Sequence, residues 1–313
     1  MKKVNRRIFL SDSLLATAAL SLPISTAANT KSLSSQETGP SYQDNGPYII
    51  DTNVNLFDWP FRSLKYGKTQ DLREKLKQHR ITQAWAGNYE ALFYKNIDAV
   101  NSRLVEECRK NGDGMFIPFG TVNLNWPDWE EDLRRCHEVY KMPGIRIYPL
   151  YQTFDMEHPE FPKLIEQLAK RDMILQIAVK MEDARHHHPI VHVRDINAEP
   201  LIDIMKKIPN AKVQLLHWNR HINGKLLERL VQETKVALDI SRVEGSGAVG
   251  HLIEGEQWTR KSRPVPVERL LFGSHAPFFP VESSIIKLFE APLTLDQILA
   301  IINNNALSFL RHG

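Results

Sequence analysis

The chain has 313 residues, of which 42% are apolar and 25% charged, and this balance excludes an intrinsically disordered protein. Its two cysteines, Cys108 and Cys136, exclude a disulfide-stapled scaffold and any Cys-rich zinc module. The basic surplus of three is carried by Lys2, Lys3, Arg6 and Arg7 against Asp12, and the chain beyond residue 28 holds 36 charges of each sign, which excludes a general nucleic-acid binder with clustered cations.

The first segment reads as a leader. Asn5-Arg6-Arg7-Ile8-Phe9-Leu10 resembles a twin-arginine export signal. The apolar run at 14–22 is too short to span about 30 Å of hydrocarbon. Small residues at 25–28 fit a signal-peptidase site. Residues 1–28 are therefore expected to be a signal peptide, and the protein to be periplasmic or otherwise exported, with no membrane association after cleavage. A plain N-terminus with a chance Arg pair is the alternative. Residues 29–46 are polar, with Gly, Ser and Pro, and read as a flexible linker.

From residue 47 the pattern is strand, loop, helix, repeated eight times. Short β-rich runs are predicted at 48–53, 81–86, 115–122, 145–148, 173–179, 212–217, 236–240 and 269–273, with starts 24 to 39 residues apart. Helical spacing predicts helices at 69–79, 98–110, 128–140, 161–171, 199–208, 224–233 and 281–290, with further helix at 294–310. The strands are continuous apolar runs, as expected where both faces are covered. Residues 47–313 are thus expected to form an α/β fold, a single (β/α)8 TIM barrel with extra C-terminal helices. A doubly wound open sheet is the runner-up.

A barrel locates its site at the C-terminal ends of the strands. The residues there include Asn53, Asn55, Asn88, Lys180, Arg185, His217, Asp239, Arg242 and His275, while Gln176 lies within the fifth strand. This set suits a polar small molecule bearing a carbonyl or several hydroxyls. Lys180 reads equally as a salt-bridge partner of Glu182 or Asp183. His186-His187-His188 reads as a loop-packing triplet in preference to a ligand cluster, and Trp59-Pro60-Phe61-Arg62 as a lid or as loop packing. Gly245-Ser246-Gly247-Ala248 reads as a tight turn.

Three stretches carry a family resemblance. Ile49-Ile50-Asp51-Thr52-Asn53-Val54-Asn55 is similar to a first-strand Asp-x-His-x-His motif. Gly144-Ile145-Arg146-Ile147-Tyr148-Pro149 resembles a fourth-strand run carrying a Gly and a basic residue. Arg269-Leu270-Leu271-Phe272-Gly273-Ser274-His275-Ala276-Pro277 resembles an eighth-strand Phe-Gly-Thr/Ser-Asp-x-Pro motif. The chain resembles the amidohydrolase-related branch of the amidohydrolase superfamily over essentially residues 47–311. The resemblance implies a distorted (β/α)8 barrel and a divalent metal held by two first-strand His, a fifth-strand His and an eighth-strand Asp, assisted by a sixth-strand His.

The departures from that pattern govern the chemistry. The four ligand positions fall on Asn53, Asn55, Gln176 and His275, and only the assisting His is kept, as His217. A neutral amide oxygen is a poor donor for zinc. No metal site is therefore expected, with Zn or Mn retained as a lesser option through His217, His275 and Asp239 or Glu244. The expectation is an exported amidohydrolase-like hydrolase acting on a polar small molecule, a lactone or a sugar-derived acid. His217 and His275 would transfer protons and Asp239 would orient a His. Asn53, Asn55, Asn88, Arg146, Gln176, Lys180 and Arg185 would bind the substrate. The alternatives are a non-catalytic ligand-binding pseudoenzyme and a lyase or isomerase on the same barrel.

Overall fold

The computed structural model describes residues 47–311, apart from 192, 258, 259 and 262. The signal and linker readings fall on residues 1–46, outside the described residues. Eight parallel strands follow one another: β1 (Ile49–Leu56), β2 (Ile81–Asn88), β3 (Phe116–Pro118), β4 (Gly144–Ile147), β5 (Ile174–Ala178), β6 (Lys212–Leu216), β7 (Ala237–Asp239) and β8 (Leu270–Leu271). Regular ladders join β1-β2-β3 and β4-β5-β6-β7-β8 as two sheets. Two short seams close them into a ring. At one, Gly120 N donates to Gly144 O at 3.1 Å and Arg146 N to Gly120 O at 2.7 Å. At the other, Thr52 N donates to Phe272 O at 2.9 Å, His275 N to Asn53 O at 2.9 Å and Asn55 N to Ala276 O at 3.0 Å. The expected closed barrel is what the chain forms. Several strands are shorter than their apolar runs, because the chain leaves the ladder early to carry the βα loops.

The intervening helices are α1 (Thr69–Lys77), α2 (Ile97–Asn111), α3 (Trp129–Glu138), α4 (Phe161–Lys170), α5 (Glu199–Lys207), α6 (Gly224–Glu233), α7 (Ala248–Glu254) and α8 (Val281–Glu290). Each long helix turns an apolar stripe to the ring. Phe161, Leu164, Ile165 and Leu168 of α4 are all buried, worth about 1.5–3 kcal/mol each in area removed from water. Asn96 caps α2 by accepting from Ala99 N at 3.0 Å. No helix among the described residues is long and apolar enough to cross a membrane.

Several short elements escaped the sequence pattern. A 3-10 turn (Tyr89–Leu92) follows β2, and α7 begins at Ala248 directly out of the expected tight turn, which Ala248 N closes on Gly245 O at 3.3 Å. Glu256–Gln257 pairs antiparallel with Arg260–Lys261. The C-terminal segment runs from α9 (Leu295–Leu299) through a π-helical turn (Ala300–Asn304) into α10 (Asn305–Arg311). That segment clamps the ring: Phe272 N donates to Ile301 O, and Asn305 Nδ2 to Val267 O and Leu270 O.

Candidate functional site

The interior of the ring is wired by polar side chains in two tiers. The deeper tier starts at a register shift in β1 between Asp51 and Val54. Such a bulge re-aims the side chains beside it, and both Thr52 and Asn53 here reach side chains at β6. Gln214 Nε2 donates to Thr52 Oγ1, and Gln176 Nε2 to Gln214 Oε1, each at 2.7 Å. Arg146 Nε donates to Gln176 Oε1 at 2.9 Å, its Nη1 to Val54 O and Asn55 Oδ1, and its Nη2 to Thr52 O and Trp85 O. The guanidinium's five N–H donors meet five acceptors inside the barrel, none of them a carboxylate. Tyr148 donates its hydroxyl to Asn55 Oδ1 at 2.7 Å.

Gly87 makes room for this tier. A Cβ there would lie 2.5 Å from the Tyr148 hydroxyl and 2.7 Å from Arg146 Cδ. Gly87→Ala is expected to cost about 2–3 kcal/mol by overpacking, measured by urea denaturation. A variant as stable as wild type would show that the guanidinium has slack.

The upper tier holds the candidate chemistry. His217 and His275 are both buried, and their ring centroids lie 3.8 Å apart. Both have left-handed backbone, with φ of 58° and 59°, a conformation uncommon for residues other than glycine. Asn53 Nδ2 sits 2.7 Å from Asp239 Oδ2, 2.7 Å from His217 Nε2 and 3.4 Å from Ser241 Oγ. A carboxylate only accepts, so this amide nitrogen faces it and donates, and His217 Nε2 must accept. The proton of neutral His217 is then on Nδ1. His275 Nε2 lies 2.9 Å from Met181 O, which can only accept, so that Nε2 carries the proton and Nδ1 is a lone pair.

Among the described residues, neither Nδ1 atom has a hydrogen-bond partner, nor do Asn53 Oδ1 and Asn55 Nδ2. Buried polar atoms of this kind need a partner from outside the chain. Burial holds the His275 imidazole down to about 3 and pushes that of His217 well below the ordinary range, with His275 adding to the effect. Both rings are neutral near pH 7. Burial likewise pushes the Asp51 carboxyl up to about 7 and raises that of Asp239.

The sequence candidates divide in this geometry. His217, His275, Asn53 and Asp239 converge at the mouth, whereas Asn55 belongs to the deeper tier with Arg146 and Tyr148. Asp239 does not touch an imidazole ring, however. Its Oδ1 accepts the His217 backbone N–H at 3.1 Å and its Oδ2 holds Asn53, so it orients His217 through backbone and amide. Arg146 and Gln176 have no donor left for a substrate. Asn88 caps the turn that follows β2 by accepting from Glu90 N, and it donates to Val100 O. Lys180 pairs with Asp195 at 2.8 Å and not with the adjacent acids. Arg185 is largely exposed and held by Asp183.

His188 stacks on Phe61, and His187 Nε2 contacts Glu182 O, as a loop-packing triplet would. The residues after β1 form a wall: Trp59 is buried edge-on against Tyr89 and Phe278, and Arg62 ion-pairs with Glu182 at 2.7 Å. Sequence reasoning passed over Gln214 and Thr52, although a Gln inside the apolar run Val213-Gln214-Leu215 is itself a signal for an inward polar contact.

These residues do not fit a divalent cation. Two of the four positions that the resemblance assigns to metal ligands, Asn55 and Gln176, spend their oxygens on the permanently charged Arg146. At a third, Asn53 turns its N–H donors toward Asp239 and His217, the groups a cation would need. Among the described residues, no group of three or more His, Cys, Asp or Glu is placed to hold a metal ion.

Residues 61–311 match the amidohydrolase family. Comparison with curated proteins yields no match. Among solved structures, the chain is similar to 2,6-dihydroxybenzoate decarboxylase from Rhizobium, with 14% identity and a TM-score of 0.61 over 85% of this chain and 99% of that one. It is also similar to 5-carboxyvanillate decarboxylase from Sphingomonas paucimobilis, with 12% identity and a TM-score of 0.65 over 86% and 100%. A third similar structure is a dihydroxybenzoic acid decarboxylase from Polaromonas sp. JS666 with bound manganese and the inhibitor 2-nitroresorcinol (12% identity, TM-score 0.63, 85% and 97%). At these identities the likeness to solved structures speaks for the barrel alone. The family match spans most of the chain, which belongs to the amidohydrolase family.

Proposed function

We propose that the chain is an exported, metal-independent hydrolase that opens a polar cyclic ester, a lactone such as one derived from a sugar acid. The observation that carries this reading is the pair of unpartnered Nδ1 atoms, one a lone pair on His275 and one an N–H on His217, on rings 3.8 Å apart. His275 Nδ1 takes a proton from water as the water oxygen bonds to the acyl carbon. His217 Nδ1–H donates to the acyl oxygen as it gains negative charge. The bond from acyl carbon to ring oxygen then breaks, and His275 returns its proton to that oxygen. Water has been added across the ester, and His275 ends as it began. The division of labour differs from a simple two-histidine relay: His275 moves the proton, while neutral His217 polarises the carbonyl. The Arg pair in the leader supports export of this enzyme in folded form.

The decarboxylases among the similar structures favour a second reading, a lyase built on the same two rings. Product analysis separates the two, since a lyase releases carbon dioxide and a lactonase a hydroxy acid. The test uses purified protein, stripped with chelator, against a lactone panel followed by acid release. Turnover is expected to survive stripping. His275→Gln should lower kcat by about 10²–10⁴-fold, and His217→Asn by about 10²–10³-fold. Turnover lost on chelation and restored by zinc or manganese would overturn the metal-independent mechanism. Wild-type turnover in both variants would overturn the assignment of the two histidines, and ligand binding with no turnover would make the protein a binding protein.

A further inference from the structure

The loop after β7 carries an arginine that the site as described does not use. Arg242 is only 3% exposed, and its Nε and Nη1 have no hydrogen-bond partner among the described residues. The nearest carboxylate oxygen, Glu244 Oε1, lies 3.8 Å from Nε, too far for a hydrogen bond. Glu244 is in turn held by Arg220 at 2.6 Å, and Asp183 by Arg220 and Arg185. Glu182 is taken by Arg62. Of these four guanidinium groups, Arg242 is the one with no carboxylate at hydrogen-bonding distance, and it is the buried one. A buried guanidinium with free N–H groups is costly unless an anion meets it.

Its position ties it to the two imidazoles. Ser241, the preceding residue, reaches Asn53 Nδ2 at 3.4 Å. The guanidinium carbon lies 6.0 Å from the centre of the Phe279 ring, and that ring lies 5.3 Å from the ring of His275. Arg242 is also among the charges that hold both imidazoles neutral.

We propose that Arg242 is an anion anchor, a specificity-determining residue that binds a single carboxylate of the ligand and holds the reacting bond against the His217 and His275 rings. The planar fork of a guanidinium matches a carboxylate in two parallel hydrogen bonds, and one such fork takes one carboxylate. Phe278 and Phe279, which pack against the His275 ring, supply an apolar wall for the body of the ligand. The location of the reacting bond rests on the function proposed above; the anchor itself does not.

The test measures binding of benzoate, acetate and the neutral benzamide to the full chain by calorimetry and thermal shift. Benzoate is expected to bind and raise Tm, with benzamide inert. Arg242→Met should weaken benzoate at least tenfold, and Arg242→Lys should restore part of the loss. Without ligand, Arg242→Met should be no less stable than wild type, because it removes an uncompensated charge; a purely structural arginine would give the opposite result. Benzoate binding unchanged in Arg242→Met, equal binding of benzamide, or no saturable binding of either carboxylate below roughly 10 mM would overturn the anchor. His275→Gln keeps the two proposals apart: it should retain benzoate binding while losing turnover.

Discussion

Arg146→Met is expected to yield no folded protein. The substitution removes the donor of five hydrogen bonds in the centre of the barrel. Thr52 O keeps its bond from Gln176, and Asn55 Oδ1 keeps that from Tyr148. Val54 O, Trp85 O and Gln176 Oε1 lose the guanidinium. A buried acceptor left without its donor costs about 1–3 kcal/mol, so the loss is on the order of 5 kcal/mol, comparable with the whole stability of many domains. Arg146→Lys keeps the charge, but an ammonium offers three donors from one point and cannot span β1, β2 and β5. That variant should fold with Tm lowered by several degrees. Soluble expression, circular dichroism and urea midpoints check both expectations. A methionine variant with the wild-type midpoint would show that the belt holds without its cation and would return Arg146 to the set of substrate-binding candidates.

The same residue explains why the barrel was legible in the sequence and its wiring was not. The eight strands and most helices lie on the predicted runs because apolar continuity and helical spacing are local properties. The seams are not local. Gly120 against Gly144, and Asn53 against His275, join residues on different strands through backbone alone. The site residues at the mouth were legible as a set, since strand ends in a barrel converge. Their roles were not, because an Asn carries both a donor and an acceptor, and only the neighbour decides which is used. Asp239 makes Asn53 a donor, and Arg146 makes Asn55 an acceptor. Arginine hides its role in the same way: Arg146 is saturated, Arg185 is exposed on its own acid, and Arg242 is buried with free N–H groups, yet the three letters are identical.

Two guanidinium groups are buried in this arrangement. One is Arg146, locked below the mouth by neutral oxygens. The other is Arg242. The charge of each disfavours a cation at His217 and His275, while the carboxylates available, Asp51 and Asp239, are pushed toward their neutral forms by burial. Charge and donor chemistry therefore agree in favouring an anionic or neutral guest over a cation.

His275→Gln should change how stability depends on pH. In the folded chain His275 stays neutral down to about 3, against 6.5 for an ordinary imidazole. Between those values the unfolded chain binds a proton that the folded chain refuses, so acidification favours unfolding by about 1.4 kcal/mol per pH unit for this group. Stability from a neutral His275 is fully present above pH 6.5 and is lost as pH falls toward 3. Asp51 works in the opposite sense. Its folded carboxyl titrates near 7, so its contribution is present below the ordinary carboxylate range and is lost as pH rises through 7. The two partly cancel in the wild type, and a single melting curve against pH hides both. The difference between wild type and His275→Gln isolates the imidazole, because Gln does not titrate. That difference in unfolding free energy should be constant above pH 7 and move in favour of the variant by a few kcal/mol between pH 6.5 and 4. Urea denaturation at half-unit steps of pH measures it. A difference independent of pH over that window would mean that burial does not hold the His275 pKa below its ordinary value.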